Sequence, residues 1–171
     1  MDVSEAIRKR CSIRQFRDGN GVIPDDKIRR ILEAARWASS PFNIQPWEFI
    51  IIKNKETLEE LSLCSPFARA VKNAPLVIVM CGDLSLDRHG GFWVQDCSAA
   101  TENMLLQIAD LGLGSVWLGL YPLQERVDYV KKQFSLPETV IPFAILPVGF
   151  PAKEMNPSDR FNPDRVHYET W

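Results

Sequence analysis

The chain is short of the residues that build metal centres and disulfide frameworks. Cys11, Cys64, Cys81 and Cys97 are its only cysteines and His89 and His167 its only histidines. No C-x-x-C pair occurs and the histidines lie far apart, so the ligand spacings a zinc site requires are missing and no metal is expected. Scattered, unpaired thiols read as reduced cysteines of a cytoplasmic protein. The opening "MDVSEAIRKR" has no apolar core of the secretory kind, and no signal segment is expected. Charge of one sign is also lacking. The formal net charge is −2, so no overall field draws nucleic acid or an anionic membrane. The most apolar stretch, Phe92 to Leu111, is interrupted by Gln95, Asp96, Glu102, Asn103, Gln107 and Asp110, which excludes a membrane span. Finally, there is no dinucleotide fingerprint. In "GLGSVWLG", Gly112 and Gly114 precede a strand instead of following one, and Trp117 stands where the third glycine belongs. With no repeat and no long linker, residues 1–171 suit a single domain.

What the chain has is a succession of well-punctuated segments. "MDVSEAIRKR" reads as a short helix with Val3, Ala6 and Ile7 on one stripe and its cations in the last turn. "PDDKIRRILEAARWA" reads as a second helix. Pro24 takes its first position, Asp25 and Asp26 complement its positive end, and Ile28, Ile31, Leu32 and Ala35 share a face. "WEFIIIK" and "APLVIVMCG" read as buried strands around a helical "KETLEELSL", and Phe92 to Leu111 as the central core helix, roughly 30 Å long. "GSVWLGLY" is a strand, "LQERVDYVKKQF" a helix and "FAILPVG" a last strand. Without strict βαβ alternation, the pattern favours an α+β sheet flanked by helices. Residues 150–171 are polar and proline-rich yet end in Val166, Tyr168 and Trp171, which reads as an extended arm that needs a surface to lie on.

Three stretches carry candidate chemistry. In "RKRCSIRQF", an extended backbone puts Arg10, Ser12 and Arg14 on one side, with about 7 Å between alternate side chains. Two guanidiniums and a hydroxyl match a phosphate, although a solvated helix end with dipole-favoured cations accounts for the same residues. In "SSPFNIQPW", Ser39, Ser40, Asn43 and Gln45 form a polar loop ahead of a strand. Its donors and acceptors suit a flat heterocycle, and ordinary turn chemistry explains them equally well. Gly119, inside an apolar strand, marks a place where another group can approach the backbone closely.

Together these segments resemble the nitroreductase family of flavin enzymes. The matches are "RCSIRQF" after a short first helix, "NIQPW" leading into "EFIIIK", "SVWLGLY" after the long helix, and "PSDRFNP" followed by "VHYE". They occur in order from Val3 to Glu169. The resemblance implies a mostly antiparallel central sheet flanked by helices, and a homodimer with FMN at the subunit interface. It implies that Arg10, Ser12, Arg14 and Arg160 hold the FMN phosphate, with Cys11 contributing through its backbone. Ser39, Ser40, Pro41, Asn43 and Gln45 would reach the flavin from the partner subunit, and Leu118–Gly119 would lie beside flavin N5. One departure is Phe67, which stands where larger relatives have a flavin-contacting asparagine.

The implied activity is ping-pong, two-electron transfer from NAD(P)H through FMN to nitroaromatic, quinone or similar electron-poor acceptors. No side chain stands out as a general acid or base. A non-catalytic FMN-binding or sensor protein, a flavin-modifying or dehalogenating family variant, and a structural domain whose basic cluster is a solvated helix end remain as alternatives. The arm supplies a test. If it carries Arg160 to the phosphate and wraps a partner, truncation after Gly149 is expected to weaken FMN affinity and dimerisation together. Sedimentation and flavin titration of the truncated protein check this, and wild-type values for both remove Arg160 from the site.

Overall fold

"LVIVMCG" and "FAILPVG" carry almost no polar side chain, and such runs suit strands covered on both faces. A computed structural model describes residues 1–17, 21–87, 90–153 and 160–171. His89 and the Pro157–Asp159 part of the arm motif lie outside the described residues. The described elements run α1 (Val3–Lys9), α2 (Asp25–Arg36), β1 (Trp47–Ile52), α3 (Lys55–Leu61), α4 (Arg69–Lys72), β2 (Leu76–Asp83), α5 (Trp93–Asp110), β3 (Gly114–Ser115), β4 (Leu118–Gly119), α6 (Gln124–Phe134) and β5 (Val140–Gly149). The sheet order is β1-β2-β5-β3, with β4 also on β5, and every strand pairing is antiparallel.

Alternation along β2 divides the core in two. Leu76, Ile78 and Met80 face Ile28, Ile31 and Ala35 of α2 and Cys97, Ala100 and Met104 of α5. Val77, Val79 and Cys81 face Leu58 and Leu61 of α3, Val71 of α4 and Val130 of α6. Each fully buried aliphatic side chain contributes about 1.5–3 kcal/mol. No described helix is long and apolar enough to cross a membrane.

Four local readings change. Pro24 is the N-cap of α2 and not its first helical residue. Its backbone is extended, at ψ 143°, and its carbonyl accepts from Lys27 N and Ile28 N. β1 is an edge strand and only partly buried: its ends, Trp47 and Ile52, are inside, whereas Glu48 is exposed and Ile51 is 37 % exposed. The expected strand "GSVWLGLY" is broken into β3 and β4. Both pieces keep one register along β5, with Ser115 opposite Val148 and Leu118 opposite Ile145. That register sets the gap at Val116 against Pro147, which has no N–H to donate to a ladder. The α1 stripe is only partly covered in the single chain: Ala6 is half-buried, but Val3 is 74 % and Ile7 57 % exposed.

A β2–β5 irregularity at Met80/Cys81 leaves Phe143 out of the register. Its carbonyl accepts instead from Leu120 N at 3.0 Å and Tyr121 N at 3.2 Å, which fixes the end of β4. In the arm, Asn162 caps a single turn at Pro163–Arg165 by accepting from Asp164 N, and Phe161, Tyr168 and Trp171 are exposed.

The segment after α1 is fastened to the sheet by backbone bonds. Ile13 N donates to Ser115 O at 2.8 Å, Arg17 N to Phe150 O at 3.0 Å and Ala152 N to Gln15 O at 3.0 Å. Ile13 and Phe16 point inward over two glycines. A Cβ on Gly114 would lie 2.7 Å from Ile13 Cγ1, and one on Gly149 would lie 2.7 Å from Phe16 Cδ1. Gly114→Ala is therefore expected to destabilise the fold by about 1–3 kcal/mol through overpacking. Urea unfolding measures it, and an unchanged midpoint would mean that Ile13 has room to move.

Candidate functional site

The register of β5 sets β4 beside the turn that precedes α4, and a cleft of about 800 Å³ opens between them. Arg14, Phe67, Arg69, Leu118, Gly119 and Arg126 are among its lining residues, and no aspartate, glutamate or histidine is. Gly119 leaves the floor open. The nearest atom to the Cβ it lacks is Tyr121 O, 4.0 Å away. Arg126, in the first turn of α6, donates from Nη1 to Gly119 O at 2.9 Å, and its guanidinium lies 5.9 Å from the Phe67 ring centroid. Phe67 is 72 % exposed. Arg69, at the start of α4, is exposed, and its side chain makes no ion pair or hydrogen bond among the described residues.

The residues expected from the sequence separate into groups. Arg14, Leu118 and Gly119, far apart along the chain, meet in this cleft. Ser12 is exposed and bridges Ser115 of β3. Arg10 and Cys11 line a second cavity of about 450 Å³, together with Arg17, Ser115 and Lys153. Arg10 thus turns away from Arg14, and its Nε pairs with Glu102 Oε1 of α5 at 3.2 Å. Burial pushes the Glu102 carboxyl up while Arg10 pulls it down. The Ser115 hydroxyl is buried beside that cavity without a hydrogen-bond partner. The loop from Ser39 to Gln45 and Arg160 line neither space within the single chain.

That loop has an unusual backbone. Phe42, Asn43 and Gln45 have φ of 55°, 56° and 53°, a left-handed conformation that non-glycine residues seldom adopt and that clusters at functional sites. Pro41–Asn43 form one tight turn. Gln45 N donates to Ser40 Oγ at 3.1 Å, and Gln45 Nε2 donates to Asn43 Oδ1 at 2.7 Å. The polar residues therefore hold the loop's shape, and Phe42 is presented to solvent, 77 % exposed.

Sequence reasoning missed Arg69 and Arg126. The available signal was a cation in the first turn of α6, where the helix dipole opposes positive charge.

Comparison with known families matches residues 7–65 and 63–150 to the description "Nitroreductase family". The chain belongs to the nitroreductase family. A Methanothermobacter thermautotrophicus protein named "Putative NADH dehydrogenase/NAD(P)H nitroreductase" is 47% identical over 171 residues, 100% of this chain and 88% of that one. An FMN-dependent nitroreductase from Clostridium difficile R20291 superposes with a TM-score of 0.89 at 28% identity, covering 97% of this chain and 98% of that one. A Desulfovibrio desulfuricans structure described as a "putative nitroreductase in complex with fmn" has a TM-score of 0.85 at 29% identity, covering 100% and 98%. The fold is thus the α+β nitroreductase fold, and the chain is an oxidoreductase of that family.

Three of the four cysteines of this nitroreductase-family chain, Cys64, Cys81 and Cys97, are not equipped for nucleophilic chemistry. Burial pushes the Cys64 thiol up to about 11 and those of Cys81 and Cys97 up to about 12, so they stay protonated near neutrality. No group of metal-ligating side chains occurs among the described residues. At pH 8 a small aromatic disulfide is expected to label Cys11, which is only half-buried, and to reach the other three thiols after unfolding. Thiol titration of native and denatured protein checks this. Native labelling of Cys81 or Cys97 at the rate of Cys11 would contradict their burial.

Proposed function

We propose that the protein is an FMN-dependent NAD(P)H oxidoreductase that works as a homodimer by a ping-pong, two-electron route. The supporting observation is the convergence of Arg14, Leu118 and Gly119 on one cleft with three guanidiniums and no carboxylate among its lining residues. Its volume lies within the range of roughly 300–1,000 Å³ expected of cofactor sites. The open floor at Gly119 admits a flat ring close to the backbone, and the cations suit a ligand with a phosphate. These residues fit FMN.

FMN, once bound, supplies the hydride and electron chemistry. The chain's part is to hold and to shield. Ser12 and Arg14 hold the phosphate with Arg160 of the arm, and Arg10 joins them by sharing or leaving Glu102. The backbone at Leu118–Gly119 presents fixed dipoles to the ring, where they favour developing negative charge without a titrating group. No aspartate, glutamate or histidine lines the cleft among the described residues of one chain, and this reading assigns the acceptor's protons to water. The loop from Ser39 to Gln45 serves the partner's cleft. Its exposed Phe42, along with Trp37, Val3 and Ile7, is the kind of apolar surface a subunit interface covers.

Arg14→Ala is expected to cost about 1.5–3 kcal/mol of FMN affinity, roughly ten- to hundredfold. Riboflavin should bind the wild type more weakly than FMN and be nearly insensitive to the substitution. Equal wild-type affinity for the two ligands would defeat the phosphate assignment. Under anaerobic conditions NAD(P)H should bleach the bound flavin, and a quinone or nitroaromatic should restore the colour. Bound flavin that never bleaches marks a binding protein.

A further inference from the structure

The cleft holds more positive charge than the proposed cofactor uses. Arg14, with Arg10 and Arg160, is assigned to the FMN phosphate, which leaves Arg69 and Arg126 without a role. Neither is accounted for by helix electrostatics or by ion pairing. Arg126 occupies the first turn of α6 against the helix dipole, and the Arg69 side chain makes no ion pair or hydrogen bond among the described residues. Their carrier is organised, however. Arg126 is fixed to Gly119 O, the backbone atom at the cleft floor, and stacks toward Phe67, whose ring stays largely exposed. One hydrogen bond uses one of a guanidinium's five donors. An exposed aromatic with one guanidinium over its ring and a second arginine lining the same cleft suits a flat ring with a negative group beside it, through stacking and charge-assisted hydrogen bonding.

We propose that Phe67, Arg69 and Arg126 form the second-substrate subsite of the cleft and select a substrate that sets an anionic group beside a flat ring. This rests on the reading of the cleft as the FMN site. The anionic group has two sources, the additional phosphate that distinguishes NADPH from NADH or a carboxylate on the aromatic acceptor. Both call on the same charge-assisted contact.

The test uses the FMN-loaded protein and its Arg69→Gln and Arg126→Gln variants. Two matched pairs of probes separate the sources: NADPH against NADH, and 4-nitrobenzoate against 4-nitrotoluene. For the pair that carries the recognised group, the ratio of kcat/KM for the anionic over the neutral or less charged partner is expected to fall about tenfold in either variant. Calorimetric binding of NADP⁺ or 4-nitrobenzoate to the oxidised protein should weaken by a similar factor and lose part of its salt dependence. A shift in the nicotinamide pair alone assigns the subsite to the donor, and a shift in the nitro pair alone assigns it to the acceptor. Unchanged ratios in both pairs, with FMN bound at wild-type affinity, overturn the proposal and leave the cofactor reading standing. Loss of FMN affinity in Arg69→Gln would overturn it by making that arginine part of the phosphate site. Failure of the wild type to bind FMN would sink both readings.

Discussion

The outer edge of β5 is the constraint on which the rest depends. On its inner edge β5 pairs with β2 through the centre of the sheet, and on its outer edge it receives β3 and β4 in a single register. That edge decides where Gly119 lies, and the Phe143 carbonyl, free of the ladder, fixes where β4 ends. β3 in turn receives the N-terminal segment through Ser115 O, so Arg14 reaches the cleft only because the chain is threaded against Gly114. Residues more than a hundred positions apart are brought together by one strand and two close approaches.

The electrostatics of the cleft follow from selection of side chains and not from overall charge. The chain is slightly acidic, yet the described acids lie elsewhere. Glu102 is engaged with Arg10, and Asp110 with the terminal amino group and Arg30. Keeping carboxylates off the lining lets a few guanidiniums act in a partly enclosed space, where their attraction is less screened than on open surface.

Much of this was legible in the sequence where local chemistry and burial agree. β2, α5 and α6 were readable from composition and period, and Gly119 was readable as a glycine set within an apolar stretch. The rest depends on tertiary pairing. The split of β3 from β4 comes from Pro147, a residue some thirty positions away whose partner the local pattern cannot name. Arg10 alternates properly with Arg14, but Glu102 of a distant helix decides its direction. The edge position of β1 is invisible in "WEFIII", because an edge and a centre can carry the same apolar residues. Arg69 and Arg126 lie in separate segments, and only the fold sets them around one space. The loop from Ser39 to Gln45 was readable as polar but not as left-handed, since its backbone is set by internal hydrogen bonds.

The exposed stripe of α1 has a consequence for ligand retention. A seven-residue helix with no buried side chain is too short to be stable on its own. Arg10 is its C-cap, so the arginine's direction is only as firm as the helix. Whatever surface covers Val3 and Ile7 also steadies that guanidinium. If Arg10 holds an anion as proposed and the cover is a second copy of the chain, dilution that separates the copies also loosens that hold, and ligand affinity becomes a function of protein concentration by mass action.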